Sequence, residues 1–192
     1  MGYPYSAYAV DLAKLRAAPG SKALARAIGK KLEGELERNT EWFAADITNG
    51  APTLESALSE IIAGTTPKKS KHGFQYGYAV ELLTRHFGVR IDEDELGYGA
   101  HKAIDPFLKK AKQATFDELT KSGVSPIPIP AIADFPLIGT LDDKAIAALL
   151  AALTAAEPFK DKKVDATAIA DALRSWCGKA RKKKRGIVWF AY

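Results

Sequence analysis

The sequence predicts an α+β fold, predominantly helical, with a small sheet formed by the N- and C-terminal strands and about six helices around it. Three observations predict this. The stretch "YPYSAYAV", Tyr3 to Val10, and the closing "GIVWFAY" are aromatic and β-branched, as strands are. Both are apolar at nearly every position, which fits a sheet buried on both faces and covered by further layers. Between the two ends, apolar residues recur at helical steps of three and four.

The elements follow in chain order. A short turn around Leu12 and Leu15 precedes Pro19-Gly20. Ser21 is a good N-cap for a helix carrying Leu24, Ile28, Leu32 and Leu36, which Gly29 and Gly34 weaken. Thr53 caps the next helix, with Leu54, Leu58, Ile61 and Ile62 inward and Gly64 and Pro67 ending it. In "HGFQYGYAVELLTRHFG", His72 to Gly88, the residues Tyr76, Val80, Leu83 and Phe87 form an inward stripe flanked by Ala79 and Leu82. Glu81 and Arg85 stand four apart as a surface ion pair of little net worth, and Gly88 fits the left-handed residue that closes many helices.

A helix from Tyr98 to Lys112 comes next, with Ile104, Phe107, Leu108 and Ala111 on one side, followed by a short turn, "TFDELTKSG". The four prolines of "SPIPIPAIADFPLIG" forbid a helix there, and its isoleucines and phenylalanine are unlike a solvated linker; an extended strap packed across the surface is expected. Thr140 with Asp143 matches a capping box before Ile146, Leu149, Leu150 and Leu153. The last helix starts near Asp165 and turns Ile169, Leu173, Trp176 and Ala180 inward.

Length and composition bound the function. A chain of 192 residues, 47% hydrophobic, suits a single domain spanning residues 1–192. The N-terminus lacks a basic region and a continuous apolar segment, and no window reaches the roughly 18 to 20 apolar residues of a membrane span, so a cytoplasmic protein without membrane contact is expected. "MGYPYS" matches the myristoylation pattern at Gly2 and Ser6, but the same residues read as a strand containing Pro4. Cys177, the one cysteine, excludes an internal disulfide and a multi-thiolate metal site, and reads as a small packed hydrophobe. The net charge of +5 is local. Seven of the 28 basic residues lie between Arg174 and Arg185 with no acid among them, which leaves 21 basic residues against 23 acidic ones elsewhere.

Three sets of residues are candidates for function. His72, Glu81 and His101 are the weak catalytic candidates, since imidazoles and a carboxylate do acid–base work. His72 and His86 stand fourteen residues apart, about 20 Å along a helix, so they share no ion unless Gly73 and Gly77 break the helix. A pairing of His72 with His101 is the surviving arrangement; no metal or cofactor is expected. The run Arg181, Lys182, Lys183, Lys184, Arg185 offers phosphate contacts or, equally, complements a helix C-terminus. Tyr3, Tyr5, Tyr78 and Tyr98 are candidate interface aromatics with polar tips. Nucleotide-binding loops, nucleophile elbows and C-x-x-C pairs are missing from the sequence, and "IDEDE", Ile91 to Glu95, reads as a solvated turn and not a calcium loop.

Taken together, "MGYPYSAYAVDLAKL", "HGFQYGYAVELLTRHFG", "PIPIPAIADFPLIG" and "RGIVWFAY" resemble an uncharacterised bacterial family, a domain of unknown function, nearly end to end. The resemblance implies a bacterial, cytosolic, single-domain protein and carries no catalytic residues with it. The ending also resembles that of other small bacterial families with a helix leading into a terminal strand, some members of which accompany toxin or phage-defence loci. The function expected is non-enzymatic protein binding, immunity-like or regulatory, with nucleic-acid binding through Arg181–Arg185 and an enzyme using His72, Glu81 and His101 as the alternatives.

Overall fold

The structure is a computed structural model that describes residues 5–21, 24, 33–92, 96, 99–161 and 164–192. Its contacts divide the chain into two compact units: Met1–Leu12, Gly88–Val124 and Leu137–Tyr192 form the first, Ala13–Phe87 and Ser125–Pro136 the second.

The first unit holds the sheet. Strand β1 (Tyr5–Val10) pairs antiparallel with β4 (Gly186–Ala191) in the register Tyr5↔Ala191 to Val10↔Gly186, so the chain ends do meet, and they meet at the sheet's centre. Two strands the sequence does not announce complete it: β2 (Gly88–Arg90) against β1 and β3 (Leu137–Leu141) against β4, giving the order β2-β1-β4-β3. Both faces are buried, as the unbroken apolar runs require. Tyr5, Ala7, Ala9, Ile187 and Trp189 occupy one face, and Tyr8, Val10, Val188 and Phe190 the other.

Trp189 shows how the sheet admits its largest side chain. Its cross-strand neighbours are Ala7 on β1 and Gly139 on β3. A Cβ at Gly139 would stand 2.2 Å from the Trp189 indole, so the ring occupies the space left by the missing side chain. The fully buried ring then packs against Tyr5 and Phe116 at centroid distances of 5.4 and 5.6 Å.

The expected helix from Tyr98 to Lys112 is two pieces, a 3-10 turn (Ala100–Ala103) and, beyond it, a helix at Asp105–Lys110. Pro106 explains the break, because it lacks an N–H and is at home only in a first turn. "TFDELTKSG" is itself a short helix at Phe116–Thr120, opened by a complete capping box in which Thr115 and Glu118 bond each other's backbone. The capping box expected at Thr140 is absent: Thr140 belongs to β3, and Asp142 caps the helix Asp143–Ala155 by accepting from the Ala145 N–H at 2.9 Å. The last helix runs Thr167–Lys182 and buries Leu173, Trp176 and Ala180 as expected. "IDEDE" is no solvated turn at its start, where Ile91 and Asp92 are buried and Arg90 grips the Asp92 carboxylate through two nitrogens at 3.0 Å. Glu93 to Glu95 lie outside the described residues.

The second unit is helical. In chain order, α1 (Leu12–Arg16) begins where the first unit's opening segment ends, and α2 (Glu33–Trp42), α3 (Ala44–Thr48), α4 (Leu54–Ala63) and α5 (Gly73–Phe87) follow. Most of the helix expected after Ser21 lies outside the described residues; Ser21 Oγ accepts from the Leu24 N–H at 3.4 Å. Helix α4 matches expectation from its Thr53 cap to its left-handed Gly64. Helix α5 buries Tyr76, Val80 and Leu83, and Phe87 is half-buried.

Two readings of α5 are corrected. Gly88 opens β2 and does not close the helix in a left-handed conformation, because the chain leaves directly into sheet pairing. Gly73 and Gly77 do not break the helix; they let the proline-rich strap lie on its backbone. A Cβ at Gly73 would stand 2.1 Å from the Ala131 carbonyl oxygen, and one at Gly77 would stand 2.7 Å from Ile132 Cδ1. The strap is therefore packed against α5, as its apolar composition predicts.

With the nine α-helices of the described residues labelled in chain order, Asp105–Lys110 is α6, Phe116–Thr120 is α7, Asp143–Ala155 is α8 and Thr167–Lys182 is α9. No helix among the described residues is long and apolar enough to cross a membrane.

Candidate functional site

Two of the three catalytic candidates, His72 and Glu81, stand apart along the chain. His72 precedes α5, and Glu81 lies nine residues further along, about 13 Å at the helical rise. His72 Nε2 is buried without a partner, and its ring meets Phe74 edge-on at 6.1 Å. His101 belongs to the first unit and has other neighbours. Among the described residues, no group of three histidines, cysteines, aspartates or glutamates is placed to hold a metal.

His101 stands on the 3-10 turn and is 3% exposed. Its Nδ1 meets the Tyr5 hydroxyl, and its Nε2 lies 3.4 Å from Asp117 Oδ1, near enough for attraction but off the line of a good hydrogen bond. Burial lowers the histidine's pKa, with Lys102 adding to the shift and Asp117 and Asp105 opposing it. The ring is therefore neutral near pH 7. A hydroxyl donating to Nδ1 leaves the ring proton on Nε2, facing the carboxylate. Ser122 Oγ donates to the same Asp117 oxygen at 2.7 Å.

A tyrosine–histidine–aspartate line has the order of a proton relay, but its tyrosine end is closed. Tyr5 is 1% exposed and ringed by Trp176, Trp189 and His101. No reactant reaches its hydroxyl, so the line serves to fasten β1 to the 3-10 turn inside an aromatic shell. This corrects the expectation of Tyr5 as an interface residue: the alternation of β1 turns it into the core. Cys177 is buried with its thiol pushed up to about 12 by desolvation, which makes it an inert packed side chain.

A cleft of about 290 Å³ opens between Phe107 and Lys110 of α6 and the segment Ala156–Asp161. Two of its charged groups are already engaged, Lys160 with Asp165 at 2.9 Å and Glu157 with Arg174. Lys110 and Asp161 complete its charged lining.

The second unit carries an aromatic face. Phe74 and Tyr78, one turn apart on α5, point away from the buried Tyr76 and Val80. Phe43 sits between α2 and α3 and packs on both, with centroids 5.1 Å from Phe74 and 5.3 Å from Tyr78. All three are half-buried. Beside Phe43, Trp42 is 78% exposed, and α3 has no buried residue at all. Of the remaining candidate interface tyrosines, Tyr78 lies half-buried on this face, and Tyr3 and Tyr98 lie outside the described residues. Sequence reasoning missed Trp42 and Phe43. The signal was adjacent aromatics between Glu41 and Asp46, in a stretch with few other apolar residues.

The basic run occupies the last turn of α9 and the turn into β4. Arg181 to Lys184 are exposed, and Arg185 is half-buried.

Comparison with known families covers the whole chain: the family described as a domain of unknown function, DUF7691, matches residues 1–192. The chain belongs to that family. No curated protein and no solved structure matches it.

Proposed function

We propose that this member of the family is a protein-binding module, immunity-like or regulatory, which engages another protein in the cytoplasm through the aromatic face of α2 and α5. One observation carries the reading: Trp42 stands 78% exposed beside the packed trio of Phe43, Phe74 and Tyr78. A tryptophan side chain presents a contact area of roughly 150 to 250 Å², and leaving it in water costs free energy that contact with a partner recovers. Tryptophan and tyrosine are also the residues most enriched among binding hot spots. Helix α3, with no buried residue, extends the same accessible surface.

The test is a photo-crosslinking residue at position 42 in the native host, with the adduct identified by mass spectrometry and then purified. Calorimetry with the purified partner is expected to show affinity falling at least about 10-fold for Trp42→Ala and for Tyr78→Ala, as hot-spot truncations do. Equal affinity for both variants, or no light-dependent adduct, overturns the reading.

A further inference from the structure

The turn between α9 and β4 concentrates charge in a way nothing else in the described structure balances. Arg181, Lys182, Lys183, Lys184 and Arg185 make no ion pair among the described residues. Helix-dipole complementation accounts for the cations of the last turn only; Lys183, Lys184 and Arg185 lie past the end of α9.

The run is also held, not loose. The Lys183 and Arg185 N–H groups donate to the Ala180 carbonyl at 3.1 Å, and the Lys184 N–H donates to the Arg181 carbonyl at 3.0 Å. These bonds close the helix with Lys184 in the left-handed conformation at φ 53°, a place usually taken by glycine. On either side the chain is anchored by fully buried residues, Cys177 and Ala180 before the turn and Ile187 and Val188 after it. Between those anchors every exposed side chain is cationic.

We propose that this turn is a preformed site for the phosphate backbone of nucleic acid. Protein interfaces have an apolar centre, and this surface has none. A membrane anchor adds apolar side chains for insertion, and here the neighbouring apolar residues face the core. A row of ammonium and guanidinium groups without a geometric pocket matches repeated phosphates, bound without regard to sequence. Because the turn is preordered, binding does not first have to freeze its backbone. The turn shares no residue with the aromatic face on α2 and α5.

Fluorescence anisotropy with a labelled random duplex of about 20 base pairs tests the proposal at about 50 and 200 mM salt. Four neutralised phosphates give a slope of about −3.6 in log K against log salt, an affinity loss of about 100-fold between the two conditions. Replacing Arg181, Lys182, Lys183 and Lys184 together by glutamine is expected to remove binding at the higher salt. Lys184→Gly alone is expected to reduce the slope by about one. Lys112→Gly and Lys121→Gly make the same backbone change at the ends of α6 and α7 and are expected to leave binding unchanged. Trp42→Ala is expected to do likewise. No binding at the lower salt, undiminished binding by the charge variants, or tighter binding of polyglutamate or of phosphatidylserine vesicles at equal salt overturns the proposal.

Discussion

At the scale of residues, three lysines hold left-handed backbone conformations: Lys112 at φ 57°, Lys121 at φ 50° and Lys184 at φ 53°. The strain of that conformation is about 1–2 kcal/mol for a residue with a Cβ, and glycine's extra freedom when unfolded takes back up to about 1 kcal/mol. Each Lys→Gly change is therefore expected to stabilise the fold by about 0.5–1 kcal/mol, read as a raised urea midpoint. The reverse holds at Gly139, where any Cβ collides with the Trp189 ring, which is walled in by its own packing. Gly139→Ala is expected to cost about 1–3 kcal/mol on the same assay. His101 sets a pH dependence. Its folded-state pKa lies below the unfolded value of about 6.5, so above that pH neither state is charged. As pH falls below it, the unfolded chain takes up a proton that the folded chain refuses, and stability drops until the folded value is passed. His101→Gln is expected to flatten this limb. Asp165, held to about 2 chiefly by its bond from Lys160, acts only at more acid pH. The direction of the His101 effect was not legible from sequence, because the burial responsible for it comes from residues distant along the chain.

At the scale of elements, α5 joins two requirements that its sequence states separately. The apolar stripe of Tyr76, Val80 and Leu83 was legible from its spacing, since one face of a helix is a matter of period alone. The role of Gly73 and Gly77 was not, because it depends on a strap more than fifty residues away. Gly73→Ala is expected to destabilise more than Gly77→Ala: the first meets a carbonyl of the strap's backbone, the second a side-chain methyl and a proline ring. Urea titrations of both variants check the order. Strands β2 and β3 escaped for a related reason. Three and five residues long, they carry little periodic signal, and pairing with β1 and β4 is what makes them strands.

At the scale of the whole molecule, neither compact unit is a contiguous piece of chain: the first is assembled from three stretches and the second from two. One cooperative transition is expected on that ground, and calorimetry checks it by equality of the van't Hoff and measured enthalpies. The central strand pair comes from the first and last described stretches, Tyr5–Val10 and Gly186–Ala191. Removing either strand strips its partner of a full ladder and opens both faces of the sheet. A chain trimmed of residues 1–10 is accordingly expected to lose its cooperative transition.

What the sequence determined by itself was local: helix faces, the Thr53 cap and the Gly64 stop, the extended strap, and terminal strands apolar on both sides. Each follows from steric preference or from a repeat of side chains along one element, which needs no knowledge of neighbours. Tertiary structure alone decided that Tyr5 faces a histidine in the core, that Trp189 rests where Gly139 has no side chain, and that Trp42 is left in water. Those outcomes depend on which distant residues share a space, and packing density allows only one occupant for each.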